Sequence, residues 1–407
     1  MGKTFVYNTR CLKKSSLKLI KDITQNLFFT LLIINLASCQ EKTRTKMTPE
    51  QKAKFEQEMN ARPSDIWPTN KDEKGDYYYN VSICSFPGYY SEDAGSYFIA
   101  GDERPSFMVM ENGVWPQETS AVMNNDHHPI PTSLFVRWFS LAENKFYAGT
   151  FEMPAETIKK YLDEMWIRYK QHTFQYERDK HERFQHLIVG VAPKGEVFVW
   201  ISDGGSRQIE IGNFQAKETR MDWDDFASLS GSHGEGYTRA YYLNAFHKEA
   251  SMPIPYGKAQ EYREKFIWRP RIQYVHLEPN DKVQKETLRY GLELYNGETE
   301  SLYHEFYNEN NFKERAVPKK INFQWRINQN EQYAAEVNFD EKDIYKAYHS
   351  ICTDKNTQAE LVLKIDRTNK IWTLVLRSKT HEYVMDSYKA GIWKPKYDSK
   401  RQVLKDE

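Results

Sequence analysis

Residues 131–154, PTSLFVRWFSLAENKFYAGTFEMP, recur in diverged form at residues 318–340, PKKINFQWRINQNEQYAAEVNFD. Pro131 aligns with Pro318, Trp138 with Trp325, Tyr147 with Tyr333 and Ala148 with Ala334, with one residue dropped between the Trp and the Tyr. Within the first copy Leu134, Val136 and Trp138 alternate with Phe135 and Arg137, the period-two pattern of a strand with one apolar face. Lys145 to Phe151 reads as its hairpin partner, turning through Glu143-Asn144. A helix follows in each copy. Ile158, Tyr161, Leu162, Met165 and Tyr169 recur at helical spacing behind Pro154. Asp340 caps a helix with Ile344, Ala347, Tyr348 and Ile351 on one face. An apolar hairpin comes next: LIVGVAPKGEVFVWIS at 187–202, turning at Pro193-Lys194-Gly195, and LVLKIDRTNKIWTLVL at 361–376. Leu187, Val189 and Val191 align there with Leu361, Leu363 and Ile365, Phe214-Gln215-Ala216 aligns with Tyr388-Lys389-Ala390, and Trp223 with Trp393. Trp accounts for only 10 of 407 residues, so two Trp pairs in one ordered alignment signal a duplication.

The expected fold is therefore α+β, with two tandem, structurally similar domains, each a mainly antiparallel β-sheet with one packed helix. The first spans 76–223 and opens on DYYYNVSICSF. The second spans 271–396 and opens near RIQYVHLE. Residues 224–270 read as a linker, with GSHGEGY flexible and PYGKAQEYREKF a short helix. Residues 39–75 form a tether with a short helix starting at Thr48-Pro49-Glu50-Gln51, and 397–407 a polar tail. Aromatic residues make up 14%, which suits sheets with well-filled cores.

The first 38 residues read as an export signal. Six bases (Lys3, Arg10, Lys13, Lys14, Lys18, Lys21) precede LFFTLLIINLA at 27–37, an apolar run too short to span a bilayer. Leu36-Ala37-Ser38-Cys39 resembles the lipobox of bacterial lipoproteins, which implies cleavage before Cys39 and attachment of lipid to it. The predicted location is the cell envelope. The outer membrane is favoured, because Gln40 is not the Asp that retains some lipoproteins inside. Taking the six bases and the single acid of residues 1–38 from the 57 of each sign leaves 51 bases and 56 acids, a net of −5. An acidic mature chain lacks the basic footprint that nucleic-acid binding needs. Cys84 and Cys352 fall at non-equivalent places in the two copies, which leaves open a bridge between them or two buried thiols. No CxxC spacing supports a thiolate zinc site.

Candidate chemistry is thin. Asn124-Asn125-Asp126-His127-His128 gathers polar groups, but adjacent side chains on an extended chain diverge, which disfavours a shared metal. GSHGEG at 231–236 matches neither a phosphate loop nor a nucleophile elbow, so His233 with Ser232, Asp224 and Asp225 reads as linker rather than a triad. Asp224-Asp225 reads as a solvated turn, and SDGGSR at 202–207 as a tight connection. Trp138, Tyr147, Trp200 and Trp325 are expected in the core rather than on an aromatic platform for sugars. We assign no catalytic, cofactor-binding or metal-binding residue; the one site residue is the lipid attachment at Cys39.

PTSLFVRWFSLAENKFYAGTFEMP, LIVGVAPKGEVFVWIS and EIGNFQA together resemble a bacterial lipoprotein family of unknown function, domain of unknown function 2931, over residues 131–223. The second copy keeps the hydrophobic skeleton but lacks counterparts of Gly190, Pro193 and Gly195, and looks like a decayed tandem copy. The family brings no catalytic residues. Some relatives look like neighbours of secreted phospholipase toxins, which implies immunity. The expectation is a lipid-anchored binding module with no cofactor, contacting the membrane through Cys39 and a toxin or envelope protein as partner. The alternatives are an envelope hydrolase built on His127, His128 or His233, and a structural lipoprotein.

Overall fold

The computed structural model describes residues 71–101, 110–111, 115, 127–167, 181–205, 207–229, 238–275, 286–303, 310–328, 331–366 and 368–394. The export segment, Cys39, the tether helix, Asp126, Ser232, His233 and the polar tail lie outside them. The described residues all fall in one compact unit, Asp65–Glu407.

The two sequence-related hairpins form as their alternation requires. Strand β4 (Ser133–Ser140) pairs with β5 (Lys145–Glu152), and β14 (Pro318–Asn328) with β15 (Glu331–Phe339). Trp138 lies opposite Tyr147 and Trp325 opposite Tyr333. The first pair of rings stacks at 5.2 Å and 24°, the second at 5.6 Å and 10°.

Each half contains two sheets where one was expected, because strands far apart in sequence pair in parallel. In the first half β1 (Asn80–Ser85) runs parallel to β6 (His186–Ala192), and β6 is antiparallel to β7 (Glu196–Ser202), which pairs with β8 (Gln208–Gln215). The strands facing them are β2 (Ser91–Asp93), β3 (Tyr97–Ile99), β4, β5 and β9 (Lys217–Thr219). The second half also contains a long-range parallel pair. Strand β10 (Lys265–Tyr274) runs parallel to β16 (Gln358–Ile365), followed by β17 (Ile371–Arg377) and β18 (Glu382–Val384), with β13 (Lys313–Ala316) on the far edge. Its second sheet contains β11 (Glu286–Leu294), β12 (Thr299–Tyr303), β14, β15 and β19 (Tyr388–Trp393).

A single ten-stranded sheet crosses both halves, joined where Gln208 of β8 meets Thr299 of β12. The Gln208 amide also donates to the Gly297 carbonyl at 2.7 Å. This continuity explains why the hairpin strands β6 and β7 are apolar on both faces. Leu187, Val189, Val191, Val197, Val199 and Ile201 enter the first half's core. Ile188, Phe198 and Trp200 enter a second core that also holds Trp268, Phe323, Trp325 and Leu361 of the second half. Trp138, Trp200 and Trp325 are fully buried, so they form no surface platform.

Helix α1 (Ala155–Asp163) packs Ile158 and Leu162 inward. It stops short of Met165, which opens a short strand, because Glu164 is extended and its N–H closes on the Tyr161 carbonyl. The stretch expected as a linker carries α2 (Trp223–Leu229), α3 (Arg239–Ala245), α4 (His247–Ala250) and α5 (Lys258–Tyr262), and β10 begins at Lys265. Phe226 and Tyr242 from these helices cover Phe139 and Phe146. Helix α6 (Glu341–Ile351) starts as expected, with the Asp340 carboxylate accepting the Asp343 N–H at 3.1 Å. Trp223 opens a helix while Trp393 ends edge strand β19 opposite Ala334, so that expected equivalence does not hold. Cys84 and Cys352 each carry a thiol rather than sharing a disulfide. Among the described residues no helix is long and apolar enough to cross a membrane.

One packing detail gives a pH dependence. Burial pushes the Asp93 carboxyl up to about 6, even though it accepts N–H groups of Gly95 and Ser96. An unfolded Asp titrates near ~4. Between about 4 and about 6 the folded state therefore holds a proton that the unfolded state has lost, and stability falls as pH rises through that window. Asp93→Asn should flatten this fall when melting temperature is followed from pH 4 to 7; an unchanged slope would contradict it.

Candidate functional site

Helix α5 sits between the halves and builds a cleft of about 640 Å³ there. Its Tyr262 packs on Phe86 at 5.3 Å, on Tyr295 at 4.9 Å and on Tyr345 at 6.2 Å. The Tyr262 hydroxyl donates to Glu341 at 3.0 Å, and Lys258 pairs with the same carboxylate at 2.7 Å. Arg263, directly after α5, ties the helix to the first half through Glu210 at 2.6 Å. The walls are Pro87 and Trp115 from the first half, with Leu294, Tyr295, Phe339 and Tyr388 from the second. Lys319, Asn338, Ser387, Lys389, Asp340 and Glu341 supply the polar rim. Burial and the nearby Glu341 charge push the Tyr262 and Tyr295 hydroxyls well above the ordinary phenol range, so both are neutral donors at physiological pH.

The residues that carry the family resemblance converge elsewhere, on a lock between two sheets. The Trp138 indole N–H donates to the Tyr89 hydroxyl at 3.4 Å, and that hydroxyl donates to Glu143 at 2.6 Å. Glu143 also accepts the Lys194 N–H at 3.3 Å and the Tyr256 hydroxyl at 3.3 Å. Lys194 has φ 63° and Gly195 φ 85°, which swing the β6–β7 turn over this carboxylate. The Ala216 N–H then donates to the Gly195 carbonyl at 2.7 Å, and the Gln215 amide to the Lys194 carbonyl. In the second half the Trp325 indole N–H reaches the turn directly, donating to Asn369 at 3.2 Å, and Asn369 has φ 61°. Signature residues here hold a turn and present no reacting group.

Among the described residues the sequence-derived candidates do not meet in the cleft. His127 and His128 form a short strand against Tyr78 and Tyr77 and point to opposite sides, His127 near the Tyr78 ring and His128 buried near Tyr79. Asp224 and Asp225 are exposed acids in the first turn of α2, where they favour the helix dipole. After Ser202 the Asp203 carboxylate accepts the Gly205 and Arg207 N–H groups at 2.9 Å. Among the described residues no group of three His, Cys, Asp or Glu side chains is placed to hold a metal ion. The cleft itself was not foreseen. The nearest signal was Tyr262, in a helix expected within a linker.

Residues 64–257 match the family described as Protein of unknown function (DUF2931). The match is wider than the resemblance over 131–223 and ends just before α5. No curated protein and no solved structure matches the chain.

Proposed function

We propose that this chain is a lipid-anchored envelope lipoprotein acting as a non-catalytic binding module, with Cys39 carrying the lipid and the cleft at the junction of the halves taking the ligand. The binding reading is carried by one observation: aromatic side chains from the first half, from α5 and from the second half line a single cleft of small-ligand size. The lipid reading rests on Leu36-Ala37-Ser38-Cys39 behind the apolar run 27–37. A tandem origin is supported by the long-range parallel pair in each half and by the two Trp–Tyr stacks. Immunity against a secreted toxin is the role that the family resemblance suggests for such a module.

Cys39→Ser should abolish incorporation of labelled palmitate and move the chain from the membrane pellet to the supernatant. Continued labelling of the variant would defeat the anchor reading. For the cleft, saturation-transfer NMR on the full chain should detect a small water-soluble aromatic probe, and Tyr262→Ala should remove the signal.

A further inference from the structure

The charges around the cleft are not equally engaged. Glu341 is occupied by Lys258 and the Tyr262 hydroxyl, and Asp340 accepts the N–H of Asp343. Lys319 and Lys389 are exposed at the rim, and among the described residues neither forms an ion pair. The cleft thus combines an apolar aromatic wall with exposed cations at its mouth that form no ion pair among the described residues.

We propose that the cleft takes a small amphiphilic anion, its flat apolar body against Tyr262, Tyr295 and Phe339 and its acid group at the rim where Lys319 and Lys389 are exposed. This rests on the cleft being the binding site. The ligand class is an aryl or similarly flat apolar carboxylate, sulfonate or phosphate. The acid gains a modest attraction from two exposed lysines, so the anion should bind roughly tenfold tighter than a neutral isostere at low salt.

The test compares naphthalene-2-sulfonate with naphthalene-2-sulfonamide, equal in shape and different in charge, titrated into the full chain by saturation-transfer NMR. The expected result is binding of both, with the sulfonate about tenfold tighter in 20 mM salt and the preference lost in 500 mM salt. The double variant Lys319→Ala/Lys389→Ala should bind both probes equally, with the sulfonamide affinity unchanged. Equal affinities in the unmodified chain would overturn the anion assignment while leaving the cleft as a binding site. A preference that survives the double variant would also overturn it. Binding of neither probe would remove both readings.

Discussion

Trp200→Ala should cost about 3–5 kcal/mol of unfolding free energy, and Trp325→Ala a similar amount, read from urea denaturation of the full chain. Both indoles are fully buried, and both belong to the one core that crosses the halves. Trp200 packs edge-on against Trp115 at 5.0 Å and alongside Phe198 at 5.9 Å, in the strand that faces the second half. Trp325 stacks on Tyr333 and holds the β16–β17 turn through Asn369. Removing either leaves a void that neighbours from two sheets cannot close without repacking. Losses under 1 kcal/mol would mean that these side chains are not packed as described.

Gly195→Ala should cost about 2–5 kcal/mol, far more than one methyl ordinarily does. The residue has φ 85°, a conformation that costs an L side chain roughly 1–2 kcal/mol. Its added Cβ would lie 2.4 Å from the Ala216 carbonyl oxygen and 3.0 Å from a ring carbon of Tyr147. The first of these is backbone held by the Ala216 to Gly195 hydrogen bond, so it cannot swing away, and overpacking adds about 1–3 kcal/mol. Gly391→Ala is the control. It has open space around the new Cβ, and should stay within about 0.5 kcal/mol of the unmodified chain in the same denaturation series. Equal effects at the two positions would dismiss the lock around Glu143.

Local structure was well legible in the sequence. The alternation through Leu134, Val136 and Trp138 set the strand and its buried face, Pro193-Lys194-Gly195 marked the turn, and Asp340 marked the helix start. Each is a signal carried by neighbours in the chain. The parallel pairing of β1 with β6, and of β10 with β16, was not legible, because nothing local in Asn80–Ser85 specifies a partner a hundred residues away. The two-sided burial of Leu187–Ala192 was visible as an unbroken apolar run, yet a run alone does not say what covers its second face. The helices of 223–262 were mostly missed, since none is longer than 7 residues, too short to display a helical period. The cleft was hidden for a further reason. Trp115, Tyr262, Tyr295 and Phe339 are single residues on four separate segments, and only the docking of the halves brings them together.

That docking underlies the binding reading, because a cleft at a seam exists only while the seam is closed. Differential scanning calorimetry of the full chain tests it most directly. A shared core and a shared ten-stranded sheet predict one endotherm, with calorimetric and van't Hoff enthalpies in agreement, and Trp200→Ala and Trp325→Ala shifting that same transition. Two endotherms, one moved by each substitution, would contradict it.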